Sequence, residues 1–219
     1  MDLAQISDFL TLLEKNNNRE WFQKNKAMYQ QAMESWQQIV RLLISEISEF
    51  DQEIRVLDPK KCIFRIYRDV RFSHNKTPYK TNFSASMKPE GRKSPFGGYY
   101  LSYSPEELTV AGGIYQPEPT LLAKIRQEID YNPGPLLKII NAKKFKTVFG
   151  QVDGEKLKRP PKGYSAEDEN IELLKHKDFI VYQQLKTNAM DPKKRLKQVG
   201  ASFQLIQPFN AYFNTVIRD

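Results

Sequence analysis

Cysteine is nearly absent: Cys62 is the only one in 219 residues. No intrachain disulfide can form, and a lone thiol suits a reducing compartment. Histidine is almost as scarce, with His74 and His176 far apart in the chain. Neither stands in a His-x-x-x-His pattern, and there is no Cys-x-x-Cys. That argues against a zinc centre and leads us to expect a metal-independent protein. There is no Walker A loop, no G-x-G-x-x-G and no G-x-S-x-G elbow, so no cofactor is expected. No window approaches the roughly 18 apolar residues of a membrane span. Met1-Asp2-Leu3-Ala4-Gln5 has neither a basic nor an apolar leader pattern. These absences point to a soluble, cytoplasmic protein with no membrane partner.

Internal repeats, low-complexity tracts and long linkers are also missing, so a single domain over residues 1–219 is expected. A chain of this length buries roughly 70–75% of its unfolded surface and needs no disulfide or metal staple. Its 40% apolar and 27% charged fractions are ordinary, and the 12% aromatic fraction supplies core volume.

The net charge of +8 is uneven. Lys60 to Lys80 holds seven Lys/Arg against one acid, Asp69. Lys138 to Lys162 holds eight against two, Asp153 and Glu155. Two solvated basic faces are one reading; an anion site for phosphate, nucleotide or nucleic acid is the other.

The pattern along the chain predicts an α+β fold. Leu3 to Lys15 reads as a helix with Ile6, Phe9, Leu10 and Leu13 on one face. Asn17 and Glu20 stand at capping-box spacing before a long helix over about Arg19 to Phe50. Its seam of Tyr29, Met33, Trp36, Val40, Leu43, Ile47 and Phe50 suits core packing. A coiled-coil dimer seam is the alternative, though the repeat stops after about three heptads.

Cys62 to Phe72 has strand composition, with Cys62, Phe64, Ile66, Val70 and Phe72 on one face. Phe83–Lys88, Gly98–Ser104 and Leu108–Tyr115 read as further strands, the last two joined at Ser104–Glu107. The result is a mainly antiparallel meander of about four strands with helices on one face. Asp153-Gly154 suits one more hairpin turn.

Later helices are expected over Glu118–Tyr131, from Asn132-Pro133 to about Ala142, after a capping box at Ser165 and Asp168, and from Asp191-Pro192 onward. Pro208 must kink that last helix or start a new segment.

The chemistry concentrates in the segment from Arg65 to Asn82. On an extended strand Arg65, Asp69 and Arg71 share a face, and Asp69 pairs with one or both guanidiniums. Arg68 then points to the apolar side and needs a carboxylate, a carbonyl or a bound anion. An internal salt-bridge network and a bidentate donor set for phosphate or carboxylate both fit.

Lys76-Thr77-Pro78-Tyr79-Lys80 is a rigid loop that places two ammoniums and a phenol near the strand's end. Pro161-Lys162-Gly163-Tyr164 is a second rigid basic-aromatic turn. Gly112-Gly113 inside a strand marks a bulge or a close backbone approach. Cys62, on the apolar face, reads as an inert core thiol.

Five motifs stand in order: Asn17-Asn18-Arg19-Glu20-Trp21-Phe22, the run Phe64 to Ser73, Lys76 to Lys80, Gly112-Gly113-Ile114-Tyr115 and Pro161 to Tyr164. Together they resemble the mainly bacterial conserved-hypothetical family catalogued as domain of unknown function 2461. The resemblance covers about Phe9 to Phe213 and implies a bacterial cytosolic single-domain protein with no established activity. His74-Asn75 departs from the basic-acidic pair expected there, which argues against His74 as a general base.

The leading reading is binding, with or without turnover, of a small phosphorylated or carboxylated ligand. Arg65, Arg68, Arg71, Lys76, Tyr79, Lys80 and Lys162 are the expected ligand-binding residues. Asp69 and Tyr79 are the acid/base candidates if catalysis occurs. Nucleic-acid binding is the second reading, with Tyr67, Tyr79, Phe145 and Tyr164 interleaving the basic segments but no recognised motif. A non-catalytic scaffold using the long helix is the third. The sequence does not specify an oligomeric state.

Overall fold

The first helix, α1 (Leu3–Lys15), follows from its spacing: Ile6, Phe9, Leu10 and Leu13 recur on one face, and all four are fully buried. The structure is a computed structural model that describes residues 3–187 and 192–219. α1 ends where Asn16 turns its side-chain amide onto the carbonyl of Leu12.

The next helix starts one residue later than the capping-box spacing suggests. Asn18 accepts from the N–H of Trp21 and opens α2 (Arg19–Lys24). Asn17 instead pairs with the backbone of Tyr79. Its Nδ2 donates to the Tyr79 carbonyl at 2.9 Å, and its Oδ1 accepts from the Tyr79 N–H at 3.1 Å.

The expected long helix is broken at Asn25. The Asn25 side chain donates to the Trp21 carbonyl, and local bonds of this kind compete with the helical ladder. α3 (Lys26–Ile47) then buries Trp36, Val40, Leu43 and Ile47 completely. The apolar seam is therefore core, packed on α1 and reaching the sheet.

The segment expected as a first strand is not one. Asp58 caps a single helical turn, α4 (Pro59–Cys62), after a short 3-10 turn at Gln52–Ile54. Residues 63–82 then double back as an irregular arm held by a few bridges. Phe64 N–H donates to Ser84 O, Lys80 N–H to Ile66 O and Arg68 N–H to Pro78 O.

The physical reason is local competition. Asp69 accepts from the Arg71 N–H, Asn75 accepts from the Thr77 N–H, and Pro78 has no N–H to give a ladder. The expected one-sided apolar face also fails, since Cys62 and Ile66 are buried while Phe72 is 95% exposed.

The sheet is an antiparallel meander in sequential order: β1 (Phe83–Met87), β2 (Gly98–Tyr103), β3 (Glu107–Ile114) and β4 (Phe179–Lys186). The first three agree with the sequence pattern to within a residue. Their hairpin turn closes through Ser104 N–H to Glu107 O at 2.8 Å. The fourth strand comes from a segment the pattern did not single out.

Between β3 and β4 lie α5 (Pro119–Tyr131), α6 (Gly134–Ile140), α7 (Lys143–Phe149) and α8 (Ile171–Leu174). Asn132 closes α5 rather than capping α6, Ser165 makes a local turn with Glu167, and Asn170 precedes α8. Asp153 and Gly154 form no hairpin of their own, and Asp153 pairs instead with Ile180. The last helix, α9 (Pro192–Arg218), runs on through Pro208. Asp191, the expected residue before it, lies outside the described residues.

α9 lies against the sheet because two residues let it. A Cβ on Gly112 would stand 2.2 Å from the Ile206 side chain, so only glycine admits the helix at that distance. One turn apart on α9, Asn210 and Asn214 then satisfy backbone in β3 and just before β2. Gly113 N–H donates to Asn210 Oδ1 at 2.8 Å, and Gly97 N–H donates to Asn214 Oδ1 at 2.7 Å. Both amides are buried, and a buried N–H left unpaired would cost roughly 1–3 kcal/mol.

Side chains alternate across the strands, so Phe83, Ala85, Leu101, Val110, Phe179 and Val181 enter the core under α3 and α9. The opposite residues form the other face.

A candidate anion site on the open face of the sheet

Strand register fixes the floor of this second face. Ser86 pairs with Tyr100, Tyr100 with Ala111, and Ala111 with Tyr182, so the four stand in a row across the sheet. A parallel row runs Gly98, Gly113, Ile180. Small residues at the centre leave a cleft of about 850 Å³. One wall is the β1–β2 connection carrying Lys88, Arg92 and Lys93, and the other is the segment from Tyr115 into α5 at Leu121.

The basic wall is a folded turn. Glu90 and Gly91 take positive φ, of 62° and 98°. Gly91 N–H donates to Lys88 O and Ser94 Oγ to Pro89 O, which holds the turn in shape.

Four cations line the cleft: Lys80, Lys88, Arg92 and Lys93. Among the described residues none of them forms a salt bridge. The acid in the lining is Glu118, which immediately precedes α5. Arg92 Cζ lies 4.6 Å and Lys80 Nζ 5.5 Å from the centroid of the Phe64 ring. Phe64 in turn meets Tyr100 edge-on at 6.2 Å.

The ring's negative face attracts both cations and takes the place a carboxylate would fill. The electrostatics record the crowding. Burial lowers the Lys80 ammonium below its ordinary range, and Arg65 and Arg92 lower it further. Burial alone lowers Lys88. An anion in the cleft would favour the charged form of both.

Of the seven residues expected to bind ligand, Lys80 lines this cleft. Arg65 is exposed and adds positive potential beside Lys80. The other five are placed elsewhere or already have partners. Arg68 donates to the Thr77 hydroxyl and, at 3.3 Å, to Ser73 Oγ. Arg71 grips Asp69 with two bonds, at 3.0 and 2.7 Å. Lys76 donates to the Val70 carbonyl at 3.0 Å. Tyr79 is 3% exposed and stacks on Phe22 at 4.0 Å. Lys162 stands in an exposed turn closed by Tyr164 N–H to Pro161 O.

The candidate acid/base groups are also committed. Hydrogen bonds from Arg71 hold the Asp69 carboxyl down to about 2, below the range of a neutral-pH base. Cys62 is buried, and burial pushes its thiol up to about 11, which makes it an inert thiol at neutral pH.

Lys88, Arg92, Lys93 and Phe64 were not legible as one site, because they come from separate segments. One signal was available: Lys88-Pro89-Glu90-Gly91-Arg92-Lys93 is a basic, glycine-containing turn between two predicted strands.

Fold and cleft define an α+β protein whose antiparallel sheet is covered by helices on one face and carries a cation-lined cleft on the other. The chain belongs to the family described as conserved hypothetical protein (DUF2461), which matches residues 5–212. No curated protein and no solved structure matches it.

Proposed function

We propose that this protein binds a small phosphorylated or carboxylated molecule in the cleft over the open face of its sheet. The observation that carries the reading is the set of four cations lining one concavity with no salt bridge to any described carboxylate. Like charges gathered in this way repel, and a bound anion offsets the repulsion. The concave shape favours a small ligand over a nucleic-acid strand. Two of the aromatic residues a strand would stack on, Tyr79 and Phe145, are each only 3% exposed. The single buried thiol supports a cytoplasmic setting.

The test is a melting series with inorganic phosphate, sugar phosphates, nucleotides and citrate. Ligand at about 100 times its Kd stabilises the folded state by about 2.7 kcal/mol. For a chain of this size that raises Tm by roughly 5–10 °C. Arg92→Ala and Lys88→Met are expected to remove the rise. A wild-type Tm that no millimolar anion moves defeats the reading.

A further inference from the structure

The cleft is not uniform along its length. Its β1 end carries Lys80 and Arg92 over Phe64, with Lys88 just beyond β1. Its β4 end carries Tyr182 and Ile180, with Tyr115 and Leu121 on the adjoining wall. Three strand spacings of about 4.8 Å separate the edges, roughly 14 Å.

At the β1 end, Ser84 and Ser86 present hydroxyls that form no hydrogen bond within the described protein, although both residues are more than nine-tenths buried. Tyr115 and Tyr182 are 62% and 41% exposed, and neither pairs with another described aromatic ring. Most tyrosines and phenylalanines of the interior pack ring against ring, as Tyr79 does on Phe22 and Tyr99 on Phe203. A half-exposed tyrosine beside a floor of Ala111 and Gly113 offers its ring face for stacking.

We propose that the ligand is an aromatic-bearing phosphate of nucleotide size, lying across the strands. Its phosphate sits at Arg92, Lys80 and Lys88 with the Ser84 and Ser86 hydroxyls beside it on β1, its middle lies over Tyr100 and Ala111, and its ring lies against Tyr182. The inference rests on the anion-site reading above and adds the second half of the ligand to it. A plain anion would use only the β1 end, leaving the aromatic end without a role.

The experiment measures Kd by titration calorimetry for adenosine 5′-monophosphate, 1-naphthyl phosphate, ribose 5-phosphate and adenosine. The ring-bearing phosphates are expected to bind about tenfold or more tightly than ribose 5-phosphate, with adenosine weak. Tyr182→Thr, which keeps strand propensity, is expected to reduce the ring-bearing phosphates to the level of ribose 5-phosphate and to leave ribose 5-phosphate unchanged. Tyr182→Phe is expected to keep the wild-type ratio. Arg92→Ala is expected to weaken all three phosphates.

If ring-bearing phosphates bind no better than ribose 5-phosphate, and Arg92→Ala still weakens both, this inference falls and the anion site stands. If no phosphate binds, this inference falls, and the anion-site reading falls with it when citrate also leaves the wild-type Tm unmoved. Should Tyr182→Thr fail to fold, the wild-type ratio and Tyr182→Phe decide the matter.

Discussion

The Arg92 guanidinium and the Lys80 ammonium lie over the same ring, that of Phe64, at 4.6 and 5.5 Å from its centroid. Phe64 thus links two cations that come from different segments and would otherwise repel. Its own position is set by the bond from its N–H to Ser84 O, which ties it to β1.

Replacing Phe64 with Leu keeps apolar bulk and removes the quadrupole. We expect a stability loss on the order of 0.5–1 kcal/mol from the lost cation–π contacts, and weaker binding of inorganic phosphate. Urea denaturation and a phosphate titration check the two halves. Unchanged phosphate affinity would show that the ring does not place the cations.

Arg71 and Arg68 separate a surface pair from an anchor. Arg71 and Asp69 have side chains 76% and 46% exposed, and pairs that open to water contribute about 0–1 kcal/mol. Arg71→Ala should therefore cost less than about 1 kcal/mol and leave anion-induced stabilisation intact. Arg68 ties both sides of the irregular arm together through Thr77 and Ser73. Arg68→Ala should cost more, on the order of 1–3 kcal/mol. Melting both variants with and without phosphate tests this. Loss of the phosphate effect in Arg71→Ala alone would move the site from the cleft to the arm.

This contrast shows why part of the protein was legible and part was not. Helical periodicity exposed α1, the α3 seam and α5, because burial on one face writes itself into every third or fourth residue. The β1–β3 hairpins were legible because alternation and the Ser104-Pro105-Glu106-Glu107 turn agree. Residues 62–72 have strand composition, but a strand also needs a partner ladder, and Asp69, Asn75 and Pro78 direct the backbone to local bonds instead. The cluster of arginines stands out in the sequence by its density. Density does not report partners, and Arg68 and Arg71 prove to be satisfied by their neighbours. The cleft depends on register across four strands, which places Ser86, Tyr100, Ala111 and Tyr182 in line. No local window of sequence carries that information.

His176 gives the pH dependence a defined sign. It is 1% exposed, and its Nδ1–H donates to the Asp178 carbonyl at 3.0 Å, a bond that favours the charged ring but is outweighed by burial. Burial, helped by the charge of Lys156, presses its pKa down to about 4. In the unfolded chain the ordinary value of about 6.5 returns. Between those two values the unfolded state binds a proton that the folded state excludes. Acidification therefore favours unfolding, and stability is lost as pH falls from about 6.5 toward 4. At about 1.4 kcal/mol per pH unit the loss reaches at most roughly 3.5 kcal/mol. Below about 4 both states are protonated and this contribution stops changing. Urea denaturation of the wild type and His176→Gln at half-unit steps from pH 7 to 4 measures it. The glutamine variant starts less stable, and the difference between the two should shrink steadily through that window. A difference that stays constant from pH 7 to 4 would show that His176 takes up its proton in the folded state as readily as in the unfolded one.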